Sequence, residues 1–191
     1  KELKMNCYIK IVPAVFLTLS FVSNVYADDI NITMYQRSFI RQVSSSLIRL
    51  PNFQVPLDSV LTGGQPTFDQ IKQAAETGFK AVVNLRTDKE LPDPAQELTW
   101  VEGAGMKYFH IPISVPEGFT PQKAKVFADV LSKPENYPLI IHCKSGNRVG
   151  AMFALKAFHI DEMEIEEALL IGERAGLIKL APTIRKILER Y

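Results

Sequence analysis

Leu139-Ile-Ile-His-Cys-Lys-Ser-Gly-Asn-Arg-Val-Gly150 is the stretch on which the reading of the whole chain turns. It opens on a short apolar run, 139–141, rich in β-branched residues, which predicts a buried strand. A polar turn follows, and then Ala151-Met-Phe-Ala-Leu-Lys-Ala-Phe158, a strong helix former. A strand that feeds a helix through such a turn points backbone N–H groups inward and presents the helix N-terminus, which together make an anion cradle. The same field stabilises a thiolate, and Cys143 sits at the first turn position. Gly146 allows a turn with positive φ. Arg148 adds a permanent charge and a flat fork of donors suited to a tetrahedral oxyanion. A cysteine used only for packing gains nothing from Lys144, Ser145, Gly146, Asn147 and Arg148 as neighbours.

Working outward, strand and helix patterns alternate. Strands are predicted at 59–61, 80–85 and 107–111, besides the run into Cys143. Thr67-Phe-Asp-Gln70 is a capping box, and its helix runs to Gly78. Asp93 before Pro94, and Thr120 before Pro121, place two further helix starts, ending near Gly103 and Ser132. Asp161 is read as the cap of a helix over 164–175, and a last helix covers 182–191. Residues 51–56 read as a connector. The alternation predicts an α/β fold with a mainly parallel central sheet flanked by helices. In such sheets the site lies beyond the C-terminal strand ends. Three loops meet that description: 86–90, 112–118 and 143–148.

With 191 residues the chain suits one α/β domain, expected over 56–191. Its 47% hydrophobic and 23% charged content fits a soluble core. A net charge of +1 gives no electrostatic case for nucleic acid. Residues 1–27 read as a signal peptide: Lys10, an apolar run to Val22, then Val25-Tyr-Ala27, with cleavage after Ala27. That implies a periplasmic or secreted protein. The apolar run is too short for a membrane span, so none is expected in the mature chain. Residues 28–55 are read as an amphipathic helix, carrying Phe39, Ile40, Val43, Leu47 and Ile48, followed by the connector. Removing the leader takes three of the 22 Lys and Arg and one of the 21 Asp and Glu, leaving a net charge of −1. It also takes Cys7, one of two cysteines, so Cys143 is left alone, as a reactive thiol would be. His110, His142 and His159 show no metal-ligand spacing, and neither metal nor cofactor is expected.

The set His142-Cys143, Gly146 and Arg148 at a strand–helix junction resembles the signature of cysteine-dependent phosphatases. Leu61-Thr-Gly-Gly-Gln-Pro-Thr67, Gly78-Phe-Lys-Ala-Val-Val-Asn-Leu-Arg86 and Tyr108-Phe-His-Ile-Pro-Ile113 are similar to one branch, the bacterial beta-lactamase-hydrolase-like phosphatases, relatives of the dual-specificity and protein tyrosine phosphatases. The likeness spans roughly residues 56–174. It implies a dual-specificity phosphatase-like fold and hydrolysis of phosphate monoesters, phosphotyrosine among them, through a cysteinyl-phosphate. The substrate is then a phosphorylated small molecule or phosphoprotein. By the resemblance Cys143 is the nucleophile, while Lys144, Ser145, Gly146, Asn147 and Arg148 bind the phosphoryl group. Arg86 joins the binding set, and His142 orders the loop.

Three features depart from the family pattern. Four residues separate Cys143 from Arg148 where those phosphatases have five, which resembles the persulfide loop of rhodanese-type sulfurtransferases. Val149 stands where a Ser or Thr usually follows the arginine. The 112–118 loop lacks the usual Asp acid, leaving Glu117, or Asp88 from the neighbouring loop, as candidate donors. Two alternatives to the phosphatase stay open: a sulfurtransferase carrying a persulfide on Cys143, and an inactive anion-binding module.

Overall fold

A computed structural model describes residues 48–191. The leader, Cys7 and nearly all of the 28–50 stretch lie outside the described residues. Residues 48–50 are not helical, and Ile48 and Leu50 are buried against the domain.

Five strands form one sheet: β1 (Gln54–Leu57), β2 (Val60–Gly63), β3 (Ala81–Asn84), β4 (Lys107–His110) and β5 (Leu139–His142), in the order β1-β2-β5-β3-β4. β5 lies between β2 and β3, parallel to both, and β3 pairs in parallel with β4. Only β1 is antiparallel, paired with β2 at the edge. The connector expected at 51–56 therefore yields a strand at its end. Its sequence is short, carries Pro56 and is only half buried, so periodicity could not reveal it; a proline is tolerated on such an edge.

Among the described residues six α-helices cover the sheet: α1 (Phe68–Glu76), α2 (Pro94–Gly103), α3 (Pro121–Leu131), α4 (Asn147–His159), α5 (Ile165–Arg174) and α6 (Ala181–Leu188). Successive side chains of a strand face opposite ways, so the sheet divides two cores. Leu139 and Ile141, with Val60, Ala81 and Val83, pack under Phe127 of α3 and Met152, Phe153 and Leu155 of α4. Leu61, Val82 and Ile140 face the other way, against Ile71 of α1, Val101 of α2 and Ile48. All four residues of β5 are buried, as a central parallel strand requires.

The predicted caps hold at three helices. Thr67 accepts from the Gln70 backbone N–H at 3.2 Å, while the Gln70 side chain accepts from the Thr67 N–H at 2.9 Å. Asp93 accepts from Ala95 N–H and Thr120 from Lys123 N–H. Asp161 does not cap: its carboxylate is held by Lys156 Nζ at 2.7 Å, and Glu164 stands at the N-cap of α5 without a side-chain bond. Replacing Thr67 with alanine is expected to cost about 1 kcal/mol. In urea this should appear as a lower midpoint with an unchanged slope.

Among the described residues no helix is long and apolar enough to cross a membrane.

Candidate active site

The loops after β3, β4 and β5 converge at the C-terminal edge of the sheet. There they enclose a cavity of about 460 Å³ lined by Thr87, Glu90, 113–115, 143–145, 147–148 and 179–180. Cys143 forms the floor as a free, buried thiol, 1% exposed. It stands one residue past β5, where its own N–H donates to Gly63 O at 3.2 Å. The turn folds back so that Gly146 N–H donates to Cys143 Sγ at 3.1 Å. Gly146 reaches that position with φ +89° and is the N-cap of α4. A side chain there would be strained whatever space surrounded it. Sulfur, backbone donor and helix N-terminus therefore share one point, as the strand–turn–helix pattern predicts.

Arg148 lies in the first turn of α4 and is 7% exposed. Its fork is met bidentately by Glu90: Nη1 to Oε2 at 2.6 Å and Nη2 to Oε1 at 2.7 Å. Nη1 also donates to Ile113 O at 3.0 Å and Leu85 O at 3.3 Å. The loops after β3 and β4 thus both grip the guanidinium that follows the loop after β5. Burial opposes its charge, but the Glu90 carboxylate and the Cys143 sulfur outweigh that and raise its pKa above the ordinary value. Glu90 answers in kind. The hydrogen bond from Arg148 brings its pKa from 4.5 to about 2, against the opposing effect of burial and with help from Thr87. Thr87 donates to the same carboxylate through both its N–H and its hydroxyl. Nothing near Glu90 in the sequence marks it as the partner of a residue 58 positions away; only its place in a loop after a strand gave a hint.

His142 is fully buried behind the cysteine. Its Nε2 stands 2.7 Å from Glu97 Oε1, and its Nδ1 lies 3.4 Å from the Cys143 carbonyl oxygen. Glu97, on α2, also accepts from Asn84 Nδ2 at 2.7 Å. Burial pushes the Glu97 carboxyl up, and the His142 hydrogen bond and charge more than reverse this, holding it below the usual range. Asn84 donates as well to Tyr108 Oη, whose pKa burial lifts to about 12 with help from the Glu97 charge. His142 is therefore tied to α2 and stands outside the cavity lining.

Lys144 and Ser145 line the cavity as expected. Asn147 does too, but its side-chain oxygen is committed, accepting from Ile178 N–H at 3.1 Å and Leu180 N–H at 3.0 Å. Three sequence expectations shift. Arg86 does not line the cavity: Nη1 donates to Gln65 Oε1 at 2.6 Å and Nη2 to the Glu90 carbonyl, so it props the loop that carries Glu90. Asp88 points outward, 3.7 Å from His110 Nδ1 and largely exposed. Glu117 lines a neighbouring cavity with Lys186 and Arg190, because Ser114 and Val115 are the residues the 112–118 loop turns toward Cys143. Glu90 is the one carboxylate among the described lining residues, and Arg148 holds it ionised. Among the described residues no group of His, Cys, Asp and Glu is arranged to hold a metal ion.

The fold is of the dual-specificity and tyrosine phosphatase type. The chain belongs to the phosphatase family described as "DSP-PTPase phosphatase fused to NAD+ Kinase", whose model matches residues 52–175. Among curated proteins it is similar to the beta-lactamase hydrolase-like protein of Agrobacterium fabrum, with 33% identity over 95 residues. That match takes in 48% of this chain and 22% of the relative. The Xylella fastidiosa protein of the same description is 28% identical over 116 residues, 59% of this chain and 26% of that one. The chain thus spans about a quarter of the length of these relatives. Among solved structures, the catalytic core of the PP-IP phosphatase SIW14 from S. cerevisiae superposes with a TM-score of 0.59 at 17% identity, over 76% of this chain and 88% of that one. A candidate phosphatase from Shewanella putrefaciens CN-32 gives a TM-score of 0.56 at 15% identity, over 79% and 97%.

Proposed function

We propose that this chain hydrolyses phosphate monoesters through a cysteinyl-phosphate on Cys143. One observation carries the reading: Cys143 Sγ accepts a backbone N–H on the floor of a cavity where Arg148 is clamped by Glu90. In the first step the sulfur attacks phosphorus, the S–P bond forms, and the ester P–O bond breaks with its electron pair going to the leaving oxygen. Backbone donors of 144–148 and the Arg148 guanidinium offset the charge on the transferring group. Water then cleaves the S–P bond, releasing inorganic phosphate and the free cysteine.

Among the described lining residues no free carboxylic acid stands beside the leaving oxygen, since Glu90 is ionised and engaged. Catalysis by a general acid is therefore missing from the lining, and leaving groups that depart unprotonated are favoured. Aryl phosphates should turn over faster than alkyl phosphates. The four-residue spacing between Cys143 and Arg148 also suits a persulfide, so the test sets the two chemistries side by side. Purified protein is given an aryl phosphate and, separately, thiosulfate with cyanide, with Cys143→Ser as the blank for both. Cys143-dependent release of phosphate, with thiocyanate at blank level, is the expected result. Cys143-dependent thiocyanate without phosphate release replaces the phosphatase by a sulfurtransferase, and neither product leaves an anion-binding module. Export of the protein belongs to the same proposal: its N-terminus, sequenced from periplasmic material, is expected at Asp28.

A further inference from the structure

Resting on the phosphatase reading, we infer that Lys179, together with Lys144, forms a second anion subsite over the cavity, for a phosphate carried on the leaving side of the substrate. Lys179 belongs to none of the three loops that the sequence assigns to the site. It arrives on the turn between α5 and α6, and two contacts fix it there. Asn147, the first residue of α4, accepts the N–H groups on either side of it, from Ile178 and Leu180. Gly176, at φ +108°, brings the same turn close to the Gly146 backbone. The wall bearing Lys179 is thereby fastened to the loop that holds the nucleophile.

Charge then decides what the cavity accepts. Three cationic side chains line it: Lys144, Arg148 and Lys179. Glu90 neutralises Arg148, and among the described residues no carboxylate lies within ion-pair distance of Lys144 or Lys179. Both lysines are exposed at the mouth, while Cys143 lies on the floor. A simple monoester uses the floor and leaves two ammonium groups unmatched. A substrate with a further phosphate beyond the scissile bond meets both levels.

The missing acid fits the same chemistry. When Cys143 attacks the terminal phosphorus of a phosphoric anhydride, the S–P bond forms as the bridging P–O bond breaks. The bond pair stays on the departing phosphate, which leaves as a stable anion without a proton. Lys179 and Lys144 then face the charge that develops. A bisphosphate ester gains the lysines in binding but still has an alkoxide to expel.

The experiment compares kcat/KM for inorganic pyrophosphate, fructose 1,6-bisphosphate and an uncharged-ring aryl phosphate, in the wild type, Lys179→Glu and Lys179→Arg. Lys179→Glu should lower the pyrophosphate-to-aryl ratio about tenfold or more, the weight of one charge-assisted hydrogen bond, and Lys179→Arg should keep it. Preference for pyrophosphate over the bisphosphate assigns an anhydride; equal loss of both on charge reversal assigns any second phosphate. A ratio unchanged by Lys179→Glu overturns the subsite. Protection of Cys143 from iodoacetamide keeps the test alive if nothing turns over. Tripolyphosphate should protect at about tenfold lower concentration than phosphate in the wild type, and this advantage should vanish in Lys179→Glu. Equal protection by the two anions in the wild type refutes the subsite. Lack of turnover with protection intact refutes only the phosphatase reading.

Discussion

Arg148→Ala is expected to lower kcat by about 10²–10³, the range seen when a preorganised oxyanion donor is removed, and to raise KM far less. The reason for the split is that charge on the transferring phosphoryl group is greatest in the transition state, so a donor aimed there adds little to ground-state binding. Glu90→Ala should follow in the same direction although Glu90 touches no reacting atom. Without it the buried guanidinium keeps the carbonyl oxygens of Ile113 and Leu85 and the Cys143 sulfur, but no carboxylate among the described residues. Removing one partner of a buried pair costs about 3–5 kcal/mol, because the other charge stays behind unmatched; Glu90 is partly exposed, so the low end applies. Glu90→Gln separates positioning from folding. It keeps the shape and one acceptor, and should recover stability more than rate. A pH series of melting temperatures adds an independent reading. The folded pKa of about 2 lies below the ordinary 4.5, so the stabilisation from Glu90 is complete above about pH 4.5 and is lost as pH falls toward 2. The wild type and Glu90→Gln should therefore converge in melting temperature across that window. Parallel curves, or a kcat for Arg148→Ala near wild type, would remove this pair from the mechanism.

What the sequence disclosed, and what it hid, divides by distance along the chain. The 139–150 junction was legible because strand, turn and helix are neighbours there, and a positive-φ glycine with a run of polar residues leaves a local mark. The caps at Thr67, Asp93 and Thr120 were legible for the same reason. Asp161 looked equally good, yet Lys156 lies five residues before it and claims its carboxylate; two local bonds competed and the ion pair won. Glu90, Glu97 and Lys179 were invisible as site residues because their meaning comes from partners far along the chain, Arg148 for Glu90, His142 for Glu97 and Asn147 for the turn of Lys179, across loops whose approach only the packed sheet decides. Arg86 and Asp88 were read from the right loop, but the residues which that loop presents to the cavity are Thr87 and Glu90. The strand order, with β5 inserted between β2 and β3, explains why. It puts the 143–148 loop at the centre of the edge, where the loop after β3 meets it from one side.

Gly150→Ala should be the most damaging single methyl in the fold. Gly150 lies in α4 two residues beyond Arg148, and a Cβ there would stand 2.1 Å from Leu177 N and 2.5 Å from Gly172 O. Both are backbone atoms, and they are bonded to one another: Leu177 N–H donates to Gly172 O at 2.9 Å, closing the end of α5. No rotamer change can make room, so either α4 and α5 separate or that closing bond breaks. Overpacking of a core costs about 1–3 kcal/mol and more where backbone must move; about 3 kcal/mol is expected here, a fall in melting temperature of about 6–12 °C. Gly103 is the matched control. It too lies in a helix, the last residue of α2, but an added Cβ meets nothing within 4 Å. Gly103→Ala should be neutral or stabilising by about 0.4–1 kcal/mol, since alanine restricts the unfolded chain. The functional consequence of the Gly150 contact follows from what it joins. Leu177 is two residues from Lys179, and Gly150 is two from Arg148, so separation of the helices opens the cavity from its floor to its mouth. Below its melting temperature Gly150→Ala is expected to lose activity toward aryl phosphate together with protection of Cys143 by phosphate. A variant that melts like the wild type would show that the two helices yield at this crossing without cost.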